Sequence, residues 1–173
     1  MALLEILTYP AGALKTASPP VEHVDDRIRR LIDDMAETMY AAPGVGLAAN
    51  QVGVPARIAV VDVEHPEGRA GLIELVNPEI VERAGDLVWE EGCLSFPGVT
   101  VEVPRSAEIA VKALDRHGRP FDFRAEGLLA VAIQHEIDHL YGVTLADKVS
   151  FLRRRMMARD IARNQRSGAP VTD

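Results

Sequence analysis

His135, Glu136 and His139 form the part of this chain whose types and spacing most directly imply chemistry. The histidines are four apart, so on a helix both project from one face, one turn from each other. Glu136 follows the first of them and can reach a water held by the same metal. In such an H-E-x-x-H run, neutral imidazoles bind the ion and the carboxylate takes the water's proton. The plainer reading is an exposed helix with two incidental histidines.

Two histidines leave a tetrahedral site incomplete, because a catalytic ion normally keeps three protein ligands and one open position. No Glu or His follows His139, so the third ligand must come from upstream. Cys93 is the best candidate, the only cysteine present, in Glu91-Gly92-Cys93-Leu94-Ser95. A lone cysteine is more often a small buried hydrophobe, but the adjoining Gly92 and the need for a third ligand favour coordination. Further upstream lies Gly44-Val45-Gly46-Leu47-Ala48-Ala49-Asn50-Gln51. Gly44 and Gly46 are either ordinary turn residues or a stretch of bare backbone against which a substrate can lie. No G-K-[S/T] follows, so this is not a phosphate loop. Gln51 brings two amide donors, a type of group suited to a developing oxyanion.

These three motifs, in this order and at this spacing, resemble the peptide deformylases, and the likeness runs over nearly the whole chain. The resemblance implies removal of the N-formyl group from methionine at the start of new polypeptides. It implies one divalent ion on Cys93, His135 and His139, with iron native and nickel or zinc accepted; thiolate plus imidazole donors suit zinc and ferrous iron alike. Glu136 would be the proton shuttle, with Gln51 and the Leu94 backbone N–H holding the oxyanion. Gly44, Val45, Gly46, Gly92, Arg105, Leu128, Val131 and Ala132 would contact the substrate, the apolar ones forming a pocket for the methionine side chain. The rival functions are an endopeptidase sharing the helix motif and a non-catalytic metal protein. The absent downstream ligand counts against the first. Gln51 and Glu136 count against the second.

The chain's 173 residues suit a single domain, expected over 1–166, with 167–173 as a disordered tail. Hydrophobic residues make up 47%, as in ordinary globular proteins. A net charge of -7 argues against general nucleic-acid binding. A single cysteine permits no internal disulfide and suits a reducing compartment. The start lacks a basic segment ahead of its apolar run, and no run is long enough to span a bilayer. The expected location is the cytoplasm.

The elements that must position the site read as α+β: small antiparallel sheets around a central metal-binding helix, with one helix towards each terminus. A helix is expected from about 25 to 40, on the spacing of Ile28, Leu31, Ile32, Met35 and Met39, capped by Asp25 or Asp26. Strands are expected over 57–63, over 72–76 with Asn77-Pro78 as its end, within 79–89, and over 99–103 with Pro104 as its stop. Segments 107–115 and 121–125 flank His117-Gly118 as a hairpin. The metal-binding helix spans about 127–141, ended by Gly142. His23, His65 and His117 fall in loop-like contexts and are read as solvated.

A last helix is expected over 150–166 with Ser150 as its cap. Between Lys148 and Arg166 lie seven basic residues and one acid, Asp160, so this segment carries +6 in a chain of -7. Deformylases of bacteria dock on the ribosome through a C-terminal helix, and the resemblance extends that partner to this segment. The alternative is a solvated helix whose arginines pair with the acidic body.

Overall fold

The computed structural model describes residues 2–64 and 69–167. His65, read from the sequence as solvated, and 168–173 of the tail expected to be disordered over 167–173 lie outside the described residues. The periodic run after Asp25 forms helix α1 (Asp26–Ala41), and the Asp25 carboxylate accepts the Ile28 N–H at 3.1 Å as its cap. Ile32, Met35 and Met39 are fully buried against Leu47, Ile58 and Val60.

Five antiparallel strands follow in sheet order β1-β2-β3-β4-β5: β1 (Gly46–Ala48), β2 (Ile58–Val61), β3 (Ile73–Glu91), β4 (Val101–Leu114) and β5 (Pro120–Glu126). The small sheets expected from the sequence are thus joined into one. Two turn signals do not end strands. Asn77 takes a left-handed φ of 51°, and the ladder shifts register between Val76 and Glu79 without breaking. Its side chain clamps Val21 from both sides, Oδ1 accepting the N–H at 2.8 Å and Nδ2 donating to the carbonyl at 2.9 Å. Pro104 sits inside β4, opposite Val88. There β4 has a neighbour on one side only, because β5 pairs with it from Glu108 onward. A residue without an N–H costs no ladder bond on a free edge.

Helix α2 (Gly127–Leu140) crosses the sheet and buries Ala130, Ala132, Ile133 and Ile137 against Val61, Leu75, Ile109 and Val111. Gly142 ends it with φ +78°, and a Cβ there would meet the Lys15 carbonyl at 2.8 Å. Helix α3 (Phe151–Ser167) starts where expected, the Ser150 Oγ accepting the Arg153 N–H at 3.2 Å. Its Met157 and Ile161 are buried with Cys93, Phe96 and Val103. Asn164 Nδ2 donates to the Pro97 carbonyl at 2.9 Å, so α3 also braces the loop after Cys93. Among the described residues no helix is long and apolar enough to cross a membrane.

Candidate metal centre and substrate cleft

One turn of α2 separates His135 from His139, and their Nε2 atoms lie 3.1 Å apart with the rings at 69°. The Cys93 Sγ sits 3.4 Å from the His139 Nε2. All three donor atoms fall within 4.8 Å of one another, and all three residues are buried. Tetrahedral coordination at ordinary bond lengths places nitrogen and sulfur donors about 3.3–3.6 Å apart. Two imidazole nitrogens and a thiol converging this closely fit a divalent ion, and the set is a metal-binding group.

The surroundings prepare these donors. Burial, helped by the charges of His135 and Arg105, pushes His139 well below the usual histidine range, which keeps the imidazole neutral as a ligand requires. Burial also pushes the Cys93 thiol up, against the pull of His135. A bound cation reverses that balance and takes the thiolate. On the far side of the His135 ring, Nδ1 meets Glu91 Oε1 at 2.8 Å. Glu91 is itself gripped by Arg105, with Nε to Oε2 at 2.7 Å and Nη2 to Oε1 at 2.8 Å. The remaining Arg105 terminal nitrogen reaches Asp138 Oδ2 at 2.6 Å. Burial opposes a charged Glu91, but the bonds from Arg105 and His135 prevail and hold its carboxyl below the usual range. Deleting one partner of such a buried pair typically costs about 3–5 kcal/mol.

Glu136 is 4% exposed and lies directly over Gly46. A Cβ at Gly46 would fall 2.5 Å from Glu136 Oε1, so only glycine leaves room for the carboxylate as placed. Gln51 is buried behind the thiol: Nε2 donates to Ser95 Oγ at 3.0 Å and approaches Cys93 Sγ at 3.5 Å, while Oε1 accepts the Ala48 N–H at 2.9 Å. A cleft opens over the donor atoms. Its apolar wall is Val45, Leu128, Val131 and Ala132, and Gly46, Gly92, Leu94 and Glu136 border it beside Cys93 and His135.

The structure therefore brings together every residue singled out for the site except two. Gly44 is buried outside the cleft, its N–H closing the end of α1 on the Met39 carbonyl at 2.8 Å. Arg105 was expected to hold the peptide, but its side chain is 5% exposed and both faces of its fork are occupied by Glu91 and Asp138. It stands behind the metal centre and is not among the residues that line the cleft. Three cleft residues were not anticipated, Trp89, Glu90 and Glu91 at the end of β3. Trp89 is 41% exposed beside the partly exposed Leu128. The available signal was the chain's one tryptophan, placed four residues before Cys93. His23 and His117 are exposed, as expected.

An α+β scaffold presenting a thiol, two imidazoles and an adjacent carboxylate defines a metal-dependent hydrolase. The comparisons with known proteins narrow that class. The family model described as polypeptide deformylase matches residues 3–155. A peptide deformylase of Alkalilimnicola ehrlichii is 50% identical over 168 residues, 97% of this chain and 94% of the relative. One from Syntrophobacter fumaroxidans is 48% identical, covering 92% and 94% respectively. The crystal structure of a peptide deformylase from Legionella pneumophila superposes with a TM-score of 0.91 at 44% identity, covering 99% of this chain and all of that one. A crystal structure of the Ehrlichia chaffeensis peptide deformylase in complex with actinonin gives 0.90 at 42% identity, covering 96% and 99%. The chain belongs to the polypeptide deformylase family.

Proposed function

We propose that this enzyme hydrolyses the N-formyl amide of formylmethionine at the start of newly synthesised polypeptides, in the cytoplasm, with residues 1–166 as one catalytic domain. The observation that carries the proposal is the convergence of Cys93, His135 and His139 beside Glu136 on the floor of an apolar cleft. A divalent ion held by these three residues would supply an activated water near neutral pH and polarise the formyl oxygen. Glu136 borders the cleft, where it accepts the proton of the attacking water and passes it to the departing amine. The Leu94 N–H and the Gln51 amide donate to the oxygen as it gains charge. The Leu94 N–H makes no hydrogen bond among the described residues and is free for that task. Gln51 would have to redirect the N–H now facing the sulfur. Val45, Leu128, Val131 and Ala132 enclose the methionine side chain, and Gly46 and Gly92 leave the backbone open beside it.

The reading is tested by metal analysis of protein purified without oxygen, paired with turnover of formyl-Met-Ala. Iron is the proposed native ion, with nickel or zinc able to replace it. Cys93→Ser should bind metal weakly and lose activity to match, measured by competition with a chelator. In the wild type, peroxide should inactivate the iron form quickly, because an oxidised sulfur is a poor ligand, and the nickel form slowly. Cys93→Ser with undiminished metal affinity would remove the thiol from the ligand set.

We also propose that α3 docks on the ribosome. Arg153, Arg155, Arg159, Arg163 and Arg166 are all exposed. Among the described residues their one ion pair is Arg163 with Asp160, within the helix. That arrangement does not support the alternative in which these arginines pair with the acidic body. Exposed Phe151, Leu152 and Met156 add apolar surface to the same helix. Deleting α3 is a poor test, since Met157 and Ile161 pack against the Cys93 loop. Replacing Arg153, Arg155 and Arg159 together by Glu should abolish co-sedimentation with ribosomes while leaving free formyl-peptide turnover intact. Wild-type binding should weaken steeply with salt as phosphate contacts release counterions. Co-sedimentation by the triple variant equal to wild type would refute the docking role.

A further inference from the structure

Among the charged side chains at and behind the cleft, buried Glu91 and Arg105 and half-buried Asp138 are the group that the proposed mechanism does not use. Glu91 is 4% exposed and sits two residues before a metal donor. A carboxylate in that place has two courses open to it. It can turn inward and become a fourth ligand, closing the position that water needs, or it can stay outside and act on a ligand.

The Arg105 fork decides between them. Both Glu91 oxygens are engaged by one guanidinium, at 2.7 and 2.8 Å. The same guanidinium is anchored to α2 through Asp138, which also receives Lys148 at 3.4 Å. A planar bidentate grip allows the carboxylate little rotation. From this fixed position Oε1 faces the His135 Nδ1 at 2.8 Å. An ionised carboxylate only accepts, so the ring nitrogen facing it must carry the proton. In the neutral ring that a metal ligand requires, the other nitrogen, Nε2, then presents its lone pair on the side of Cys93 and His139.

We propose that Glu91 and Arg105 are positioning residues: Glu91 fixes the tautomer and ring angle of His135, and Arg105 holds Glu91 out of the coordination sphere. The proposal rests on the metal-site reading above. It explains why a buried arginine stands where a substrate contact was expected. It also explains why His135 and His139 are not equivalent. The His139 Nδ1 is buried without a hydrogen-bonding partner among the described residues, so His135 is the imidazole whose orientation is enforced.

Outer partners of ligating histidines typically contribute about 10–100-fold in metal affinity. Glu91→Gln, which keeps size and shape, should weaken zinc binding by that factor in a chelator competition. It should also shift the visible absorption bands of the cobalt-substituted protein, which report ligand geometry. Arg105→Lys should weaken binding as well, since an ammonium cannot grip both oxygens. A second measurement needs no variant: in zinc-loaded wild type, nitrogen-15 spectra of the histidines should show His135 protonated at Nδ1 and metal-bound at Nε2. Wild-type zinc affinity and unchanged cobalt bands in Glu91→Gln, or an unprotonated Nδ1 in the wild type, would overturn the proposal. Wild-type protein that bound no zinc at all would instead overturn the metal-site reading itself.

Discussion

Glu136→Ala is expected to lower kcat/KM for formyl-Met-Ala by about two to four orders of magnitude, the usual weight of a general acid–base group. The metal content should stay at the wild-type level. The two expectations belong together because the donor set is complete without this carboxylate. Cys93, His135 and His139 supply three ligands, and Glu136 is not among the converging atoms. Its place bordering the cleft gives it access to a water and to the leaving nitrogen, but no coordinate bond to lose. Metal analysis and steady-state kinetics on one preparation decide the matter. Loss of the ion from Glu136→Ala would make the residue a ligand, and near-normal turnover with the ion bound would remove it from the proton path.

The parts of this site legible in the sequence are those whose geometry is local. His135 and His139 are related by one helical turn, so a spacing of four suffices to put them together. The helix itself is announced by its apolar face and by Gly142, which the structure finds at φ +78°. Cys93 could be singled out because no Glu or His follows His139 and it is the chain's one cysteine. The partnership of Glu91 with His135 bridges 44 positions of sequence, and no pattern within either segment announces it. Arg105 fails for the same reason. A charged residue following a proline in a strand reads as exposed, and only the fold reveals two carboxylates waiting for it.

The strands show the converse limit. Asn77-Pro78 and Pro104 are strong local signals for a stop, and each is overridden by pairing. The 19-residue β3 passes Asn77 because the register shift absorbs its left-handed backbone. Pro104 is tolerated because the neighbouring edge is free. Both exceptions depend on which strand lies alongside, information a single segment does not contain. They matter for function, because uninterrupted β3 and β4 carry Trp89, Glu91 and Arg105 to the cleft and its rear.

Gly46→Ala should cost activity without costing stability, and the size of the loss tests how exactly Glu136 must be held. Gly46 lies in β1 opposite Val61, without a left-handed φ, so alanine suits the backbone there. Removing glycine's freedom in the unfolded chain even favours the native state slightly. The three atoms nearest the added methyl all belong to Glu136: Oε1, Cδ and Cγ at 2.5, 2.9 and 3.0 Å. The side chain must swing aside. Displacing a reacting group by about 1 Å can lower a rate roughly 100-fold, and we expect kcat/KM to fall by about that factor. Gly12→Ala is the control, since a Cβ there meets nothing within 4 Å. Melting temperature should be unchanged or slightly raised in both variants, and metal content should match the wild type. The cause is isolated by a double-mutant cycle. If Gly46 acts through Glu136, adding Gly46→Ala to Glu136→Ala should lower the rate no further than Glu136→Ala alone. Two independent losses that multiplied would show that Gly46 contributes through the substrate's path along β1 and not through the carboxylate above it.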